Sequence, residues 1–263
     1  MSRSTLFAAI ALSVGLTASV PVTIAQEYDR EEALAISQAA IGVTLDDLTF
    51  RDIDGQSFRL QDLRGKPLVI SLIYTSCHHI CPLITRNVKE TVAIAREALG
   101  DDSFSVITVG FDWQVDTPER MRIFASGHGI DVNGWHFLSG DSASIMALST
   151  NVGFQFFASA KGFDHLSQTT IVDADGVIYR QVYGEDFNAP AFVEPLKELV
   201  FNTPRSAGLV DHWVDSFKLF CTVYDPNTGR YRFDYSIFMT ILVGTLCLGA
   251  IAVFVVLEWK RKR

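Results

Sequence analysis

Two cysteines separated by three residues, Cys77 and Cys81, stand at the end of the apolar run Leu68-Val69-Ile70-Ser71-Leu72-Ile73-Tyr74, and Pro82 follows them. A β-branched run of this kind reads as a buried strand. Proline's fixed φ and missing N–H suit the first position of a helix. With Cys77 in the first helical turn, a spacing of four puts both sulfurs on one face, near enough to share a ligand. Thiols at such a strand-to-helix corner suit a disulfide, a redox couple or a soft metal ion. A closed loop of three residues makes an inert structural disulfide the poorest of these, because the bond is strained or readily reduced. Both thiols, close to a helix N-terminus, are expected to have lowered pKa values.

The corner needs elements to hold it. Residues 26–43 are polar, then alanine-rich, and read as a short helix or tether. Leu45 to Leu60 alternates around Asp54-Gly55, a hairpin signal. After the strand Leu68–Tyr74, a helix is predicted from Pro82 to about Leu99, ended by Gly100. Ser105 to Gly110 is a second buried strand. Thr117-Pro118-Glu119 reads as the start of a helix reaching about Ser126. Trp135–Leu138 is a third strand, and Asp141 caps a helix over Ser142–Thr150. Thr169–Val172 and Val177–Tyr183 form a hairpin, and a last helix runs from about Phe192 to Phe201. Alternating strands and helices closed by a hairpin predict an α/β layer fold with a mixed sheet flanked by helices. Residues 204–235 read as a linker.

The two ends point to export and anchoring. Arg3, the uncharged run Leu6–Val20 and the small-residue exit Thr23-Ile24-Ala25 match a signal peptide over 1–25. Residues 236–257, about 22 without a charge, match a C-terminal transmembrane helix flanked by Tyr235 and Trp259. The basic tail in 258–263, Lys260-Arg261-Lys262-Arg263, marks the cytoplasmic side. The expectation is a single-pass protein of a bacterial cytoplasmic membrane, its globular domain on the periplasmic side. A net charge of −8 with no long basic patch argues against nucleic acid as a partner. Of four cysteines, Cys247 falls in the expected span as an apolar side chain, leaving Cys77, Cys81 and Cys221 outside.

Strand, two-cysteine corner, helix, then hairpin and terminal helix resembles the thioredoxin fold, although thioredoxin itself uses Cys-x-x-Cys. The segment Tyr74-Thr75-Ser76-Cys77-His78-His79-Ile80-Cys81-Pro82 resembles the Cys-x-x-x-Cys-Pro element of the Sco/SenC family of copper-binding assembly proteins. Phe111-Asp112-Trp113-Gln114-Val115-Asp116-Thr117-Pro118 is similar to that family's Asp-x-x-x-Asp-Thr-Pro stretch, and Asp164-His165 onward to its histidine loop. The resemblance spans Thr44 to Phe201, within a domain placed at 44–203. Trp113, where the family often has proline, and His78-His79, where it often has Pro-Asp, depart from the pattern.

The resemblance implies a thioredoxin-like domain that binds copper, as Cu(I) or Cu(II), through Cys77, Cys81 and His165. It implies delivery of that copper to the dinuclear centre of a cytochrome oxidase subunit, after receipt from a copper donor chaperone. Two thiolates and one imidazole are a soft set that favours Cu(I), and three ligands are one short of a structural zinc site. The alternative is a thiol–disulfide oxidoreductase whose redox-active disulfide joins Cys77 and Cys81 and which reduces the recipient's cysteines. Gln168 stands where thioredoxin-like oxidoreductases place a cis-proline, which favours the metal reading. Ile70 and Tyr74 exclude the peroxiredoxin motif.

Asp112 is the candidate for a contact just outside the ligands, and Asp116 reads as a turn or capping residue. His78 and His79 read as solvated loop residues, and His128, His136 and His212 as surface or packing residues. Cys221 is a packed thiol on the linker or a third reactive sulfur.

Overall fold

The computed structural model describes residues 28–77, 80–130, 133–202, 222–225, 230–233 and 236–261. Its centre is a seven-stranded mixed sheet. Three strands run parallel: β3 (Leu68–Ile73), β4 (Ser105–Gly110) and β5 (Trp135–Ser139). The antiparallel pair β8 (Gln168–Val172) and β9 (Ile178–Tyr183) extends the β3 edge, with β8 antiparallel to β3. The short hairpin β1 (Thr49–Arg51) and β2 (Ser57–Arg59) extends the β5 edge, giving the order β2-β1-β5-β4-β3-β8-β9. Every residue of β3 and β4 is buried, which is why both read as unbroken apolar runs.

Helices cover the sheet. α2 (Ile80–Leu99) packs against α5 (Ala189–Asn202), and α3 (Pro118–Gly127) lies against β5. α2 turns Ile84, Val88, Val92 and Ala95 inward at helical spacing. Thr117 caps α3 through the Arg120 amide, and Asp141 caps α4 (Ser142–Asn151) through Ser144. α1 (Arg30–Ala39) is capped by Asp29, so the polar N-terminal stretch begins as a helix. Gly55 takes φ +77° in the β1–β2 turn, as the Asp-Gly signal requires.

Two hairpins lie where none was predicted. β6 (Phe156–Ser159) and β7 (Gly162–His165) pair antiparallel between α4 and β8. β10 (Thr222–Asp225) and β11 (Arg230–Phe233) pair within the expected linker, and β11 packs against α2. The chain ends in α6 (Ser236–Arg261), a helix of 26 residues over the expected span. Among the described residues no helix is long and apolar enough to cross a membrane. The side chains of residues 252–256 lie outside the described set, as do the expected signal peptide, His78, His79, His212 and Cys221.

Candidate metal centre

The cysteine corner forms where β3 ends. The turn from Tyr74 to Cys77 closes through the Cys77 amide, which donates to the Tyr74 carbonyl at 3.1 Å. Cys77 then precedes the described start of α2, and Cys81 is that helix's second residue. The two side chains therefore meet differently from two positions stacked on one helix face. The Cys77 sulfur accepts the Cys81 backbone N–H at 3.3 Å, satisfying one of the amides that a helix N-terminus leaves unpaired. Both residues are thiols.

Their environments differ. Cys77 is half-buried, while Cys81 is 0% exposed. Burial pushes the Cys81 thiol well above the ordinary range, and the backbone of Tyr74 offsets this only in part. The expected lowering at a helix N-terminus is thus reversed for Cys81. Desolvation of a thiolate inside the core outweighs the field of the first turn.

Tyr74 joins the corner to the rest of the site. Burial, and after it the neighbouring Cys77 side chain, pushes its phenol up to about 12. Its ring packs on Phe111 and Phe163 at 5.3 and 5.2 Å, and stands edge-on to His165 at 6.2 Å. Pairing of Phe156 with His165 in the β6–β7 hairpin sets this placement. The His165 ring lies 5.4 Å from Phe111 and 5.3 Å from Phe154. Desolvation holds its pKa below the ordinary histidine range. Nδ1 lies 3.2 Å from the Leu166 carbonyl, which can only accept, so the neutral ring carries its proton there and keeps the Nε2 lone pair.

Tyr74 thus neighbours both Cys77 and His165, and Cys81 joins Cys77 through its amide. Cys77, Cys81 and His165 are not closed around a point: among the described residues, no three of His, Cys, Asp and Glu stand close enough to hold a metal ion. The donor chemistry nonetheless fits a soft monovalent ion, with two thiols at one corner and one neutral imidazole separated from them by the Tyr74 ring.

Asp112 is half-buried at the end of β4, and its amide donates to Asp116 Oδ2 at 2.9 Å. Asp116 is not the helix cap that its position suggested. It is 1% exposed, and its Oδ1 accepts both the amide and the hydroxyl of Thr75, at 2.8 and 2.7 Å. Sequence reasoning gave Asp116 only a turn or capping role and gave Tyr74 no role in the site. Gly162 was a signal for Tyr74, because a Cβ there would meet the Tyr74 hydroxyl at 2.7 Å. His128 bonds the Phe124 carbonyl and His136 packs on Phe58 with its ring tilted, both away from the corner and consistent with packing roles. Cys247 lies exposed on α6.

The SCO1/SenC sequence profile matches residues 36–200, more than half of the chain. The chain belongs to the SCO1/SenC family. It is 26% identical over 148 residues to the SCO1 protein homolog of Bacillus subtilis (strain 168), covering 54% of this chain and 74% of that one. A crystal structure of an Aquifex aeolicus VF5 protein is 30% identical, with a TM-score of 0.56, covering 65% of this chain and 98% of the other. Bradyrhizobium japonicum ScoI, solved with copper bound, is 22% identical with a TM-score of 0.50, covering 59% and 99%. The thioredoxin-like architecture expected from sequence is the one this SCO1/SenC chain adopts.

Proposed function

We propose that this SCO1/SenC protein carries copper on Cys77, Cys81 and His165 and delivers it to the dinuclear copper centre of a cytochrome c oxidase subunit during assembly. The observation that carries this reading is the Tyr74 bridge. One aromatic side chain neighbours Cys77 and stands edge-on to a neutral His165, in a family with a copper-bound member. Copper here is cargo, and two thiolates with one imidazole supply a soft, low-coordinate holder that a recipient's ligands can attack. Asp112, at the mouth of the same loop, is the proposed contact outside the ligands.

The membrane reading is part of this proposal. α6 places large apolar side chains in exposed positions around its circumference, among them Met239, Ile241, Leu242, Leu246, Leu248 and Ile251. Apolar side chains on several sides of a helix suit lipid. The proposed topology sets the copper domain on the periplasmic side of the cytoplasmic membrane.

Anaerobic Cu(I) titration of the full-length chain tests the assignment. One copper per chain is expected, with His165→Ala weakening binding sharply and leaving the fold intact. Copper held as tightly by that variant would overturn the ligand set. The hydrogen bond from the Cys81 amide to the Cys77 sulfur favours a second reading, reduction of the recipient's disulfide by Cys77 and Cys81. A pair unable to reduce the recipient subunit's cysteines in a defined redox buffer would sink it.

A further inference from the structure

Asp116 has a built place and no function in the scheme above. Its carboxylate is sealed from solvent, and among the described residues no lysine, arginine or histidine forms an ion pair with it. An unpaired buried carboxylate is costly unless hydrogen bonds saturate it. Three donors do so: the Thr75 amide, the Thr75 hydroxyl and the Asp112 amide. The β4 backbone also makes way for it. A Cβ on Gly110 would stand 2.5 Å from the Asp116 Cβ, so only glycine fits beside this side chain.

What the three donors belong to matters more than their number. Thr75 is the first inner residue of the turn that Cys77 closes onto Tyr74. Asp112 begins the loop that carries exposed Trp113. Asp116 therefore ties the end of β3, from which Cys77 departs, to the loop after β4. We propose that Asp116 is a positioning residue for the Cys77–Cys81 pair, holding through Thr75 the turn that presents Cys77 and thereby favouring the joined state of the two sulfurs, whether by a disulfide or by a shared metal. For the shared metal this rests on the copper-carrier reading; for the disulfide it stands independently.

The role calls for a carboxylate. All three partners donate, so each oxygen must accept. An amide at this position would turn its NH2 toward one of them, replacing a hydrogen bond with a donor–donor clash.

The test uses the full-length chain with Asp116→Asn, Thr75→Val and Thr75→Ser. In dithiothreitol buffers, the two cysteine thiols give two electrons and two protons to oxidised dithiothreitol, forming the Cys77–Cys81 disulfide and reduced dithiothreitol. Asp116→Asn and Thr75→Val are expected to shift this equilibrium at least tenfold toward the dithiol, and Thr75→Ser to stay within twofold of wild type. Cu(I) competition against a chromophoric chelator should weaken in the same order.

Lower melting temperatures with an unchanged thiol–disulfide equilibrium would reduce Asp116 to a structural role and overturn the proposal. If Asp116→Asn does not fold, the Thr75 pair decides: valine and serine variants with equal equilibria would overturn it. A wild type that takes up no Cu(I) would remove the carrier reading, and the thiol–disulfide equilibrium would still judge Asp116.

Discussion

The ring of His165 stands edge-on to the ring of Tyr74, with centroids 6.2 Å apart and planes at 85°. Because Tyr74 also neighbours Cys77, one side chain lies between the imidazole and the sulfur that precedes it by 88 residues. The placement has consequences that can be measured.

Tyr74→Phe keeps the ring packing and removes the hydroxyl from Cys77. A hydrogen bond to an ionised partner contributes about 1.5–3 kcal/mol. Iodoacetamide alkylation of Cys77 at neutral pH is expected to slow roughly tenfold, with the circular dichroism spectrum unchanged. An unaltered rate would show that the hydroxyl does not support the thiolate.

The two thiols should react in sequence. Cys81 is fully buried and its thiol is pushed up by desolvation, so it resists both access and ionisation. Alkylation of the reduced chain followed by peptide mass spectrometry is expected to find, of these two, Cys77 labelled first. Equal labelling of both would contradict the burial of Cys81.

Gly162 takes φ +115°, and a Cβ there would press on the Tyr74 hydroxyl. Gly162→Ala combines backbone strain with that clash and is expected to cost about 1–3 kcal/mol. For a chain of this size that lowers the melting temperature by several degrees. It should also weaken copper binding by displacing Tyr74. An unchanged melting temperature would mean that the hairpin adjusts without strain.

His136 gives a pH dependence of defined sign. Burial, and secondarily Lys66, depress its pKa in the folded state, while Asp52 pulls weakly the other way. Its contribution is complete above the unfolded value, about 6.5, and is lost as pH falls through the lower folded value. Urea unfolding should show stability declining from pH 7.5 to 5 more steeply in wild type than in His136→Phe. Parallel curves would count against this assignment.

Much of the scaffold was legible because its signals are local. The runs Leu68–Ile73 and Ser105–Gly110 are apolar throughout because both faces of those strands are covered. Thr117-Pro118 and Asp141 announce their helices through caps that act within one turn. The β6–β7 hairpin was not legible. Its strands are four residues each, and its aromatic residues are held by packing on Phe111 rather than by a long alternating pattern.

The amino-acid sequence by itself determined the cysteine corner, the order of the central elements and the family to which the chain belongs. Each of these rests on residue types at short, ordered spacings. Only the tertiary structure decided what surrounds the corner: Cys81 sealed in the core, Tyr74 between Cys77 and His165, and Asp116 bonded to Thr75. Desolvation and long-range hydrogen bonds depend on which distant segments pack together. That is why a rule for helix N-termini predicted a lowered Cys81 pKa where the folded chain raises it.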